Sequence, residues 1–199
     1  MKEKIHYPVS LFLIRTLVKN DLINEQDTDI YMYCANNLIE TGFFITIMII
    51  TGLVLNNFMN TVLFLIILFS IRSFSGGFHA NTTIGCFFLS YFLYIVNIFF
   101  ANKLECNTLV NPIVLSILIV IIVLLSPVDC RQKRLSYNQK NIYRKVCLII
   151  CLLVLSAFIF LYFLHSSIIN IIFTSFVTVL SIQVLGIIKN LREGKKWFF

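Results

Sequence analysis

The sequence predicts an all-α polytopic membrane protein of about six transmembrane helices, preceded by an amphipathic N-terminal helical arm. Hydrophobic residues make up 59% of the 199 residues and charged residues only 13%. The mean hydropathy is +0.91, which is too apolar for a soluble core with a solvated surface. We therefore expect the lipid bilayer as the surroundings of a single domain over residues 1–199, and no nucleic-acid partner.

Residues 1–38 form the predicted arm. Apolar and basic residues recur in it at helical spacing, namely Leu11, Ile14, Val18, Arg15 and Lys19. Such a pattern suits a helix in the lipid headgroup region. Asp27 or Thr28 can cap a second helix that leads to Glu40. Two interpretations stay open: a solvated arm with an anchor, or a docking platform for an amphipathic partner.

Six hydrophobic runs follow the arm and make up the transmembrane region, residues 39–188. They lie at residues 39–56, 58–71, 83–101, 109–127, 146–164 and 168–188. The last four are long enough to cross about 30 Å of hydrocarbon as helices. The first two are short. The Asn-rich residues 56–60 between them are either the turn of a hairpin or a polar interruption in one kinked helix.

The distribution of basic residues favours six spans. With the N-terminus inside, the N-terminal charges, Arg72, the basic loop 128–145 and the basic tail 189–199 all lie on the cytoplasmic side. Only Lys103 then lies outside. Five spans would place the basic loop opposite the N-terminal charges, against the positive-inside rule. We therefore expect a protein of the cell membrane with both termini cytoplasmic.

Residues 72–86 combine Arg72, Gly76, Gly77, His79 and Cys86 at the rim of a hydrophobic run. A thiol and an imidazole can act as nucleophile and general base. On one uninterrupted helix the two would be separated by about 10.5 Å of rise. The pair therefore requires His79 in a loop that folds back, which the two glycines permit. Cys86 would then lie in the first turn of the third span, where the helix dipole favours a thiolate.

Each of these residues also has a plainer interpretation. A cysteine in an apolar segment is usually a packing residue, and an arginine after a span is often a topology signal. Cys147 and Cys151 are expected to pack in a membrane helix. Asn170 and Gln183 are expected to form hydrogen bonds between helices. The six cysteines show no zinc spacing, so neither a metal nor a cofactor is expected.

Glu40 and Asp129 are the acidic candidates for orienting His79. Either residue can equally be an interfacial carboxylate paired with a lysine or arginine.

Arg72, Gly77, His79 and Cys86, with Gly76 and Ala80 around them, resemble the signature of the accessory gene regulator B family. Members are membrane cysteine endopeptidases of Gram-positive quorum sensing. The likeness extends to the arm, to Glu40 before the first span, and to residues 126–129 before the basic loop. The resemblance implies cleavage of the C-terminal part of a small pro-peptide of the accessory gene regulator D type, and closure of a thiolactone or lactone ring.

In that chemistry Cys86 would attack the scissile carbonyl and His79 would move the proton. Arg72, Gly76 and Gly77 would bind substrate or support the transition state. The basic loop suits an acidic substrate tail, although membrane topology alone also explains its charge. The alternatives are a peptide exporter or a scaffold without catalytic activity, and the chain shows no clear internal repeat of the transporter kind. A homo-oligomer is possible in each case.

Overall fold

A computed structural model describes residues 8–20, 23, 27–78, 83–103, 112–128, 136–164 and 168–192. It contains seven helices over these ranges: α1 (Pro8–Lys19), α2 (Thr28–Val54), α3 (Phe58–Ser75), α4 (Thr83–Lys103), α5 (Pro112–Leu125), α6 (Tyr137–Phe163) and α7 (Ile168–Arg192). Apart from one isolated β-bridge, all regular structure in the described residues is helical. The predicted all-α fold is confirmed.

Five helices are long and apolar enough to cross a membrane by length and composition, and α5 is a shorter apolar helix. Together they agree with the predicted count of about six. The run 109–127 was expected to span unaided, but α5 is only 14 residues long, or about 21 Å. Pro112 suits the first turn of a helix because it has no N–H to satisfy, and Pro127 lies directly beyond its other end.

The helix α2 corrects the predicted boundary at residue 38. It runs without a break from Thr28 to Val54, so the second helix of the arm and the first span are one helix. No proline interrupts this stretch, and the polar arm passes directly into the apolar run. At the other end of the chain, α7 continues to Arg192 and so includes the start of the predicted tail.

The chain separates into two compact units, residues 1–50 and 51–199. In the first unit, α1 buries Ser10 and Ile14, while Phe12 on another side of the helix is 76% exposed. The Ser10 hydroxyl donates to Oδ1 of Asn36 on α2. The single domain expected from the sequence stays a prediction.

The second unit begins with a tight turn that decides between the two interpretations of residues 56–60. Asn56 has a φ of 53°, and the Asn57 N–H donates to the Gly52 carbonyl at 2.8 Å. A Cβ on Gly52 would lie 2.3 Å from Oγ1 of Thr61. The end of α2 therefore folds back on the start of α3, and the two are separate helices.

Helix α7 is the centre of the second unit. It packs against α3, α4, α5 and α6, and 56% of its span is buried, the largest share of any candidate span. Large apolar side chains such as Phe64, Phe158 and Phe176 fill the core around it. Exposed apolar side chains on α4, α5 and α6, such as Phe92, Val120 and Leu153, suit contact with lipid.

Candidate active site

The glycine pair ends α3 with a sharp change of direction. Gly76 has a φ of 70° and Gly77 a φ of 140°, values that L-residues with a side chain rarely adopt. The Gly76 N–H still donates to the Arg72 carbonyl at 3.1 Å and closes the helix. A Cβ on Gly76 would lie 2.3 Å from the carbonyl oxygen of Val128. The bend expected at this pair is confirmed.

Phe78 is held from three sides directly after the bend. Its N–H donates to the Ile182 carbonyl on α7 at 3.0 Å, and its carbonyl accepts from Nη2 of Arg72 at 3.2 Å. Lys189 Nζ lies 5.2 Å from the centre of its ring, within cation–π range. The segment Gly76–Phe78 is therefore fixed to α3 and α7 at the point where the chain leads to His79.

Two extended segments lie side by side here, Gly76–Phe78 and Ser126–Val128. The Val128 N–H donates to the Ser75 carbonyl at 2.8 Å, and Val128 and Gly76 form a parallel bridge. Nε of Arg144 donates to the Ser126 carbonyl at 2.8 Å. The sequence alone does not indicate this contact. Arg144 is one of six basic residues in the predicted basic loop, and membrane topology already accounts for their charge.

The Gln183 side chain donates a hydrogen bond to a backbone carbonyl at the buried end of α5. The Ser126 N–H donates to the Val123 carbonyl at 3.2 Å, which leaves the Ile122 carbonyl without that donor of the regular helix ladder. Nε2 of Gln183 donates to the Ile122 oxygen at 3.3 Å. The predicted role of Gln183 between helices is confirmed, and so is that of Asn170, whose Nδ2 donates to the Ala101 carbonyl on α4 at 3.2 Å.

Cys86 lies in the first turn of α4, as expected, and its thiol is free and half-buried. Asn97, further along α4, bonds to Thr174 and Thr178 of α7. Helices α4 and α7 run antiparallel, because Ala101 meets Asn170 nearer the start of α7. Cys86 is about 16 Å along α4 from Asn97. Counted along α7 from Thr174 and Thr178, the same distance reaches residues 186–189, which lie beside Phe78.

Positive charge gathers at this end of the second unit. Arg72, Arg144 and Lys189 all contact the two extended segments or Phe78. Lys103 lies at the other end of α4, where Asn170 joins the start of α7. None of the described residues from 51 onward is acidic. Three of the basic residues expected on one face, Arg72, Arg144 and Lys189, therefore lie at one end of the described helices of this unit.

A family model of accessory gene regulator B matches residues 10–187 of the chain. The chain belongs to the accessory gene regulator B family. Searches of curated proteins and of solved structures find no match. Membership of the accessory gene regulator B family supports a role in processing the autoinducing peptide of quorum sensing, with a peptide substrate and a membrane setting.

The structure does not describe every residue predicted for this chemistry. His79 and Asp129 are outside the described residues. Glu40 is half-buried on α2, in the first unit. Cys147 and Cys151 are buried on α6, as expected for packing residues. In the ranges that the structure describes, no three metal-ligating side chains come together.

Proposed function

We propose that this chain is a membrane-embedded cysteine endopeptidase. Its substrate is a small autoinducer pro-peptide of the accessory gene regulator D type, from which it removes the C-terminal part. The observation that carries the proposal is the position of Cys86 along α4. Counted by helix rise, this free thiol at the start of α4 reaches the same height as the part of α7 that holds the bent segment Gly76–Phe78.

The first half of the reaction is acyl transfer to Cys86. The Cys86 sulfur attacks the scissile carbonyl, and His79, the residue after Phe78, accepts the thiol proton. The C–N bond then breaks, and His79 returns the proton to the leaving amine. The products are a thioester on Cys86 and the released C-terminal fragment.

The second half closes the ring. A cysteine or serine within the bound peptide attacks the thioester carbonyl, its proton passes by way of His79 to the Cys86 sulfur, and the S–C bond breaks. A thiolactone or lactone forms and the enzyme thiol is restored. Restricted access of water at the membrane rim favours this cyclisation over hydrolysis.

The charge at this end suits an acidic C-terminal tail on the pro-peptide. Arg144, Lys140 and Lys145 lie in the first turns of α6, and Lys189 in the last turn of α7. With no acidic residue among the described part of this unit to offset them, these cations attract an anionic peptide and promote encounter. We place this end, and both termini, on the cytoplasmic side, where thiols stay reduced.

Polar side chains within the spans support an enzyme rather than an exporter. An export pathway needs polar groups that face a water-filled cavity. Asn97, Thr174 and Thr178 instead bond to one another between α4 and α7. Asn170 and Gln183 bond to backbone carbonyls of neighbouring helices.

The test is cleavage of the cognate pro-peptide by membranes that contain the protein, with the C-terminal fragment measured by mass spectrometry. Cys86→Ala should release no fragment. Replacement of all other cysteines (Cys34, Cys106, Cys130, Cys147 and Cys151) by alanine should leave substantial cleavage. If Cys86→Ala still cleaves, the chain is not a cysteine peptidase of this mechanism, and an exporter or scaffold becomes the better assignment.

A further inference from the structure

We propose that α7 sets the spacing between Cys86 and the segment Gly76–Phe78, and that Gly186 and Asn97 are the positioning residues through which it does so. Only residues 79–82 join Phe78 to α4 in the chain. The two halves of the site are thus neighbours in sequence, yet each is fastened separately to the same distant helix. The inference rests on the proposed function.

Gly186 fixes the segment on α7. A Cβ at this position would lie 2.7 Å from the Gly77 carbonyl carbon and 2.8 Å from the Phe78 nitrogen. Both are backbone atoms, so no side-chain rotation can relieve the contact. One turn earlier on α7, the Ile182 carbonyl accepts the Phe78 N–H at 3.0 Å. The segment therefore lies against the bare backbone of α7, and any side chain at position 186 must push it outward.

Asn97 fixes α4 on the same helix. Its Nδ2 donates to Thr178 Oγ1 at 2.9 Å, and its Oδ1 accepts from Thr174 Oγ1 at 3.3 Å. Because the two threonines are one turn apart, a slide of α4 along α7 by one residue, about 1.5 Å, would move the amide away from one of them and weaken the pair of bonds. The Asn97 amide thus helps to fix the position of Cys86 along the axis of α7.

The threonines make Asn97 a clean position to test. Thr174 Oγ1 also donates to the Asn170 carbonyl at 2.9 Å, and Thr178 Oγ1 to the Thr174 carbonyl at 2.9 Å. Replacement of Asn97 by the similarly sized Leu therefore leaves both hydroxyls bonded within α7. A second restraint on α4, the 2.8 Å hydrogen bond between the hydroxyls of Tyr94 and Thr61, remains. The helix should stay folded, and its register on α7 should become less firmly fixed, because the hydrogen bond from Asn170 to the Ala101 carbonyl also remains.

The experiment measures kcat and KM for the cognate pro-peptide in membranes. A misplacement of about 1 Å can reduce catalysis by about 100-fold, so Gly186→Ala should lower kcat by roughly that factor with KM within about three-fold of the original. Asn97→Leu should lower kcat by a smaller factor, about ten-fold, because Tyr94 still restrains α4. Both variants should also slow alkylation of Cys86 by iodoacetamide near neutral pH in the absence of peptide.

Phe158→Leu is the matched control for general destabilisation. It shortens a fully buried side chain of α6, about 21 Å along that helix from Arg144. Its kcat should stay within about three-fold of the original. If Gly186→Ala does not fold, the kcat of Asn97→Leu alone tests the proposal.

Equal loss of kcat in Phe158→Leu and Gly186→Ala would overturn the proposal, because the effect would then be general destabilisation. So would unchanged kcat in both Gly186→Ala and Asn97→Leu. Failure of the proposed function is a separate outcome, in which the unaltered protein shows no cleavage that depends on Cys86.

Discussion

Nε of Arg144 on α6 donates to the backbone carbonyl of Ser126 at 2.8 Å. Ser126 is buried, and its carbonyl lies just past the end of α5, beyond the reach of the helix's own N–H groups. The contact ties the start of α6 to the extended segment Ser126–Val128. Arg144 thus has a structural role in addition to its charge.

Arg144→Ala should destabilise the second unit, because the Ser126 carbonyl then loses its charged donor. We expect the free energy of unfolding to fall by about 1 kcal/mol, measured by denaturant titration in detergent micelles. Cleavage of the pro-peptide should fall as well, since Val128 pairs with Gly76 at the site.

Lys145→Ala is the control for that change. It removes the same charge from the same turn of α6, and Lys145 is exposed. Any loss of electrostatic steering is common to both variants and should disappear at high salt. Equal stability of the two variants would show that the contact with Ser126 contributes nothing.

Gly76→Ala should disrupt the bend that carries the site. Its φ of 70° is strained for alanine, and the new Cβ would lie 2.3 Å from the Val128 carbonyl oxygen. We expect a loss of about 1–3 kcal/mol in the free energy of unfolding and a fall in cleavage rate. In the same assays Gly42→Ala should behave like the unaltered protein, because nothing lies within 4 Å of its Cβ position. If Gly76→Ala cleaves the pro-peptide at the rate of the unaltered protein, the bend is not required for the function.

The sequence was sufficient for the helices and for the bend, since both follow from local rules. Apolar length identified the spans, and the pair Gly76–Gly77 identified a backbone that L-residues avoid. The position of Cys86 in the first turn of α4 also followed from the turn-forming residues before it. These features depend on residues close together in the chain.

Contacts across the fold could not be predicted in the same way. Gly186 on α7 meets Gly77, and Arg144 on α6 meets Ser126, and neither pair leaves a pattern in a single sequence. For a different reason, it could not be predicted that the second helix of the arm and the first span form one helix, α2. Polarity changes near residue 38, but a change of polarity does not end a helix that lacks a proline or a C-terminal glycine there.

His79→Ala should slow both acylation and alkylation of Cys86 near neutral pH, because the thiol then loses the base that would accept its proton. Alkylation by iodoacetamide is followed in a protein whose other cysteines are replaced by alanine. His165→Ala is the control, since His165 follows α6 in the chain and is not part of residues 72–86. Unchanged alkylation with reduced cleavage would assign His79 to substrate binding instead of thiol activation.

The last prediction concerns the side of the membrane that the site faces. The turn between α2 and α3 sends Arg72 back to the end of the helices where Arg144 and Lys189 lie. Positive charge of this density favours the cytoplasmic side. A membrane-impermeant thiol reagent added outside intact cells should therefore label Cys106, three residues after Lys103 in the chain, and spare Cys86 and Cys130.

Permeabilised cells provide the control, because Cys86 and Cys130 should then become accessible to the same reagent. Labelling of Cys86 from outside, with Cys106 protected, would reverse the orientation of the second unit. The thiol would then face the wrong compartment for an intracellular pro-peptide. Cleavage would have to follow export of the peptide, and the basic end could no longer recruit an acidic tail from the cytoplasm.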